Sequence, residues 1–206
     1  MSQDFEFYET PHAFSNWLFD EIDVRGRVCE PCVGSGAIQQ ARWPPNGVSW
    51  FTNDLDPRWP ADVHKDARDR TLWEAHEFDW TVSNPPFTPA IEIIDRAIEF
   101  SRVGVAMHLR ASIHEVLKTG TRRTWMARHL PSGILWLPRF AYQRSKKTGE
   151  WTTDSVCACC VIWLKDKTRG QFIHYAPESV IDELNAETPA YRKRMDAIMA
   201  ERKAVA

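Results

Sequence analysis

No stretch of the 206-residue chain approaches the ~18 consecutive apolar residues of a membrane-spanning helix. Internal repeats and low-complexity segments are also missing, which sets aside repeat architectures. The first twenty residues carry four acids and neither Lys nor Arg, so they read as neither a signal nor a transit peptide. Cysteine is scarce and odd in number: Cys29, Cys32, Cys157, Cys159 and Cys160. Without an export signal these read as reduced thiols of a cytoplasmic protein. Cys157, Cys159 and Cys160 fall in an apolar run that reads as a buried strand, not on the turns a zinc module uses, so no metal is expected. With nine glycines and no complete G-x-G-x-x-G pattern, a pyrophosphate cofactor is disfavoured.

Hydrophobic residues at 43% and charged residues at 26% are those of an ordinary globular protein, and the length suits a single domain over 1–206. The formal net charge of −2 hides an asymmetry. Residues 1–101 hold 8 basic and 18 acidic side chains, whereas 102–147 hold 10 basic side chains against Glu115 alone. A basic segment this concentrated is the footprint of a polyanion-binding face, although a solvated surface produces the same run. Arg122, Arg123, Arg139, Arg144, Lys146 and Lys147 are the candidate nucleic-acid contacts. The region 111–154, a helical stretch followed by a polar loop, is the candidate target-recognition element, and with few apolar anchors the loop is expected to be mobile. Trp125, Trp136 and Trp151 lie near it and are candidates for stacking on bases.

Short apolar runs alternate with helical periodicity, the pattern of an α/β fold. Strands are expected at 26–30, 48–52, 61–65, 78–83, 103–109, 132–137, 155–164 and 172–175. Thr10 and Pro11 should open a helix, with Thr10 as cap. A second helix should start at Ala37, and a third carries Ile91, Ile94 and Ile98 on one face. Two C-terminal helices should break at Thr188-Pro189. Together these make a doubly wound, mostly parallel sheet of about seven strands.

Four segments follow consecutive strands and therefore line one edge of that sheet. Glu30-Pro31-Cys32-Val33-Gly34-Ser35-Gly36 lets the backbone approach a ligand closely. Asp54 ends the next strand, 20 residues past Gly34, where an acid accepts hydrogen bonds from ribose hydroxyls. Asp66 follows the third segment. Ser83-Asn84-Pro85-Pro86-Phe87 is the most informative: two prolines fix the backbone and leave carbonyls free, Asn84 adds another acceptor and Phe87 a flat apolar surface. Two acceptors and a ring suit a planar heterocyclic amine.

This ordered set, preceded by Tyr8-Glu9-Thr10-Pro11, resembles the S-adenosylmethionine-dependent DNA adenine-N6 methyltransferases of gamma-like motif order, with their Asn-Pro-Pro-Phe motif. The resemblance covers about residues 5–165 and implies a Rossmann-like class I methyltransferase fold. It implies that Tyr8, Thr10, Pro31, Gly34 and Gly36 surround the methionine part of the cofactor and that Glu30 orients that loop and the ammonium group. Asp54 would bind the ribose, Asp66 and Ala67 the adenine ring, and Asn84, Pro85, Pro86 and Phe87 the substrate base. Two other readings stay open: an amino-methyltransferase acting on ribosomal RNA, and a non-catalytic nucleic-acid-binding subunit that keeps the fold.

Overall fold

The computed structural model describes residues 7–41, 47–114, 121–145, 147–152, 157–168 and 170–204, with all their side chains except those of 114, 121–123 and 126. Seven strands form one sheet: β1 (Gly26–Glu30), β2 (Val48–Thr52), β3 (Phe78–Ser83), β4 (Ser101–Arg110), β5 (Gly133–Trp136), β6 (Ala158–Leu164) and β7 (Phe172–Tyr175). Their spatial order is β2-β1-β3-β4-β6-β5-β7. The first four run parallel, β6 is antiparallel to both β4 and β5, and β7 is parallel to β5. The chain leaves β1 for β2 on one side and returns to β3 on the other. That reversal opens a crevice beyond the carboxyl ends of β1 and β3.

Helices cover both faces, and strand alternation feeds a core on each. On one face α1 (His12–Glu21) and α4 (Glu178–Ala204) bury Phe14, Trp17, Leu18, Leu184 and Met195 over Val28, Val82, Ala106, Cys160 and Ile162. On the other, α2 (Ala90–Phe100) and α3 (Thr121–Arg128) place Ile93, Ile94, Ala97 and Trp125 over Phe51, Val105, Met107, Cys159 and Val161. Cys159 and Cys160 thus enter opposite cores, as their position in an unalternating strand implies. No helix among the described residues is long and apolar enough to cross a membrane.

Four expectations change. Residues 37–40 form turns, not the start of a helix, and the segment 61–65 contributes only an isolated bridge between Asn53 and Val63. Thr10 caps no helix: α1 starts after Pro11 without a side-chain cap, because the Thr10 hydroxyl accepts a hydrogen bond from Asn84 instead. The C-terminal helices are one, with Pro189 inside α4. An interior proline costs ~3 kcal/mol. Val180 and Leu184 before it and Tyr191 and Met195 after it are all buried, at about 1.5–3 kcal/mol each, and their packing outweighs the break.

Tyr191 ties α4 to the segment before α1 and to the loop after β5. Fully buried, its hydroxyl lies 3.0 Å from the Glu9 carbonyl oxygen and 3.1 Å from that of Tyr142. Tyr191→Phe is expected to lower stability by about 1–2 kcal/mol in urea denaturation, with an unchanged m-value; an unshifted midpoint would show that this hydroxyl contributes nothing.

Candidate active site

Segment 7–10 forms one wall of the crevice, although it has no regular structure of its own. Side chains from elsewhere hold its backbone. Asn84 Nδ2 donates to the Tyr8 carbonyl (2.7 Å) and to Thr10 Oγ1 (3.0 Å), the Gln143 amide reaches the Phe7 carbonyl, and Tyr191 takes that of Glu9. Glu9, buried, then joins the glycine loop to α4: Ser35 Oγ donates to one carboxylate oxygen at 2.8 Å and Arg194 to the other at 3.1 Å.

The glycine loop is the floor. Gly34 and Gly36 have φ of +51° and +76°, the left-handed region that a side chain makes costly. Asp54 fixes the loop from across the crevice, its Oδ2 accepting the Gly34 amide at 2.8 Å and its Oδ1 the Asp56 amide at 2.9 Å. Burial pushes the Asp54 carboxyl above its ordinary value, and the two amides pull it back. Each oxygen keeps a second lone pair for a ligand hydroxyl. Asn53, missed in the sequence, is fully buried and stitches three segments together. Its Nδ2 donates to the Pro31 and Lys65 carbonyls and its Oδ1 accepts the Lys65 amide. A buried amide at a strand end is the one signal that would have found it.

Glu30 lies at the bottom, 1% exposed, with no hydrogen-bond partner for its Oε2 among the described residues. Burial, and then the neighbouring Asp54, push its carboxyl well above the usual range. The far wall brings Asp66 and Ala67 to the crevice. The Asp66 carboxylate is held by Arg68, whose guanidinium pulls it below its ordinary value, so it reaches a ligand less directly than the sequence suggested. Asn84, Pro85, Pro86 and Phe87 close the end next to the start of α2. The enclosed space is about 250 Å³, with Tyr8, Thr10, Glu30, Pro31, Gly34, Asp54, Asp66, Ala67 and Asn84 to Phe87 all on its walls. Gly36 shapes the loop without lining the cavity. Phe7 and Trp59, stacked 4.8 Å apart, are lining residues the sequence reading did not include.

The basic region is less uniform. Arg139 and Lys147 are exposed, whereas Lys146 and the side chains of Arg122 and Arg123 lie outside the described residues. Arg144 pairs with Asp196 of α4 at 2.7 Å and covers the Trp151 ring. The loop has more anchors than expected: Phe140 and Ala141 are buried, and Tyr142 and Trp151 pack on the first core. Trp125 is no stacking platform either, being buried with its indole N–H donated to Asp95. Trp136 packs against the second core.

No protein-family model and no curated protein matches the sequence. Solved structures do. The methyltransferase subunit of a type I restriction-modification system from Streptococcus thermophilus aligns with a TM-score of 0.57 at 13% identity, over 90% of this chain and 53% of that one. A Listeria monocytogenes protein assigned to the class I S-adenosylmethionine-dependent methyltransferases gives 0.57 at 12%, over 88% and 71%. A Pyrococcus horikoshii protein assigned as an RNA methyltransferase gives 0.56 at 16%, over 76% and 86%. The chain spans about half the length of the restriction-modification subunits it matches. It has the Rossmann-like fold of the class I S-adenosylmethionine-dependent methyltransferases.

The glycine loop gives a direct check on this geometry. A Cβ on Gly34 would lie 3.0 Å from the Phe7 ring, whereas one on Gly149, also left-handed at φ +72°, meets nothing within 4 Å. Gly149→Ala should cost about 1–2 kcal/mol from backbone strain alone, and Gly34→Ala should cost more. Equal losses in urea denaturation would mean that Phe7 does not press on this loop.

Proposed function

We propose that the protein transfers a methyl group from S-adenosylmethionine to the exocyclic N6 amine of adenine in DNA, using 1–206 as one methyltransferase domain. The observation that carries this reading is the orientation of Asn84. Its Nδ2 is committed to Tyr8 and Thr10, which leaves Oδ1 as an acceptor at the end of the crevice. An acceptor amide followed by two prolines and a phenyl ring suits an aromatic amine and has no evident use in a plain turn.

The residues present fit the cofactor. The orphaned Glu30 Oε2 suits a cationic ligand, which offsets the cost of a buried carboxylate. Tyr8, Thr10, Pro31, Gly34 and Gly36 would surround the methionine part, Asp54 the ribose, and Asp66 and Ala67 the adenine ring. When bound, S-adenosylmethionine supplies an electrophilic methyl group on a sulfonium centre. The adenine amine is a weak nucleophile because its lone pair is delocalised into the ring. Accepting its two N–H groups, through Asn84 Oδ1 and the Pro85 carbonyl, favours a pyramidal nitrogen and localises that pair. The rate then comes from positioning. The base must leave the duplex, and stacking on Phe87 offsets part of the unstacking cost. Arg122, Arg123, Arg139, Arg144, Lys146 and Lys147 in region 111–154 would meet phosphates. RNA is the alternative acceptor, since these cations neutralise either backbone.

Counting labelled methyl groups moved from S-adenosylmethionine onto DNA, RNA and protein tests the reading; DNA should be the acceptor, and label on protein alone would refute it. Asp54→Ala should weaken cofactor binding by about 1.5–3 kcal/mol in calorimetry, and unchanged affinity would move the ribose contact elsewhere. Asn84→Ala should abolish transfer and, by releasing Tyr8 and Thr10, also loosen the cofactor. Phe87→Ala should raise the KM for DNA, the loss of a base stack being worth ~1–3 kcal/mol.

A further inference from the structure

A second, smaller cavity adjoins the crevice. It shares Tyr8, Thr10, Asn84 and Phe87 with the first and continues past them to His108, Arg110 and Tyr142. His108 stands in β4, 4% exposed, and neither ring nitrogen has a hydrogen-bond partner among the described residues. Two unpaired nitrogens in an apolar core cost free energy that an aliphatic side chain would avoid. The neighbouring strand positions that face the same core carry small or aliphatic side chains with no ring nitrogen to satisfy: Ala106 on β4, and on β6 Cys160, directly opposite His108, and Ile162. His108 departs from that pattern where the core meets the cavity.

Resting on the reading of Asn84 as the amine acceptor, we propose that His108 is a specificity-determining residue that donates a hydrogen bond to an unprotonated ring nitrogen beside the acceptor amine, N1 or N7 of adenine. Asn84 belongs to both cavities, so an amine held at Asn84 leaves its ring in the second one, toward His108. Burial pushes His108 down to about 4, so near neutrality the ring carries one N–H donor and one acceptor. The second cavity is about 30 Å³, enough for a water molecule and not for a base. Arg110 accounts for that: its guanidinium lies 4.2 Å from the Phe87 ring centre and donates to the Tyr8 hydroxyl at 3.2 Å. A cation over the Phe87 ring takes the place that a base would take, and entry of the base displaces it.

The test uses the full chain, wild type and the variants His108→Leu and His108→Gln, on three duplex DNAs synthesised with adenine, 1-deazaadenine or 7-deazaadenine. Wild type should lose about tenfold in kcat/KM on one of the two analogues. His108→Leu should lose about as much on adenine, lose nothing further on that analogue, and bind S-adenosylhomocysteine as wild type does. His108→Gln, which keeps a donor, should recover most of the loss. Unchanged kcat/KM in His108→Leu, or a loss that adds in full to that of both analogues, would overturn the proposal while leaving the function standing. No transfer to DNA by wild type would overturn both. Should His108→Leu fail to bind S-adenosylhomocysteine, the analogue preference of His108→Gln decides: full loss on both analogues refutes the proposal.

Discussion

One side-chain amide connects the parts of this site. Asn84 leaves the end of β3 and spends both N–H groups on a segment 74 to 76 residues earlier in the chain. Segment 7–10 has no helix or strand to hold it, and its ties come from other parts of the chain, among them Ser35, Asn84, Arg110, Gln143, Tyr191 and Arg194. Such bonds contribute only about 1 kcal/mol each, so the wall exists because several act together. They also leave Oδ1 as the end of Asn84 that can still accept a hydrogen bond. The wall and the acceptor are consequences of the same two hydrogen bonds.

At the glycine loop, acidic side chains do the fixing. Asp54 clamps Gly34, and Glu9 joins Ser35 to Arg194. The glycine loop is therefore held from both sides by carboxylates at positive φ values that only glycine takes cheaply. Glu30 differs in kind, since half of its carboxylate has no partner. Satisfied carboxylates define the shape of the crevice, and Glu30 brings a buried oxygen to it that none of the described residues satisfies.

Much of this was legible in the sequence where local chemistry decided it. The apolar run ending at Leu164 gave a doubly covered strand, and the isoleucine periodicity gave α2, because burial alone sets those patterns. That Glu30, Gly34, Asp54 and Asn84 share one crevice was legible because they stand at or just past strand ends, and a parallel sheet gathers strand ends. What stayed hidden depended on distant partners. Thr10 looked like a helix cap because nothing near it announces Asn84. Pro189 looked like a break because the burial that carries α4 through it comes from α1, Phe140 and Trp151, all distant in the chain. Trp125 looked available for stacking because Asp95 and the second core lie elsewhere in the chain. His108 carried no recognisable spacing, and its lack of partners is visible only in three dimensions.

The central claim, that the crevice presents an acceptor for the adenine amine, is tested most directly by identifying the methylated product. DNA incubated with the protein and S-adenosylmethionine should be digested to nucleosides and analysed by mass spectrometry. The account predicts N6-methyldeoxyadenosine as the methylated nucleoside. Methyl groups on cytosine or guanine, or DNA left unmethylated while the cofactor binds, would contradict it.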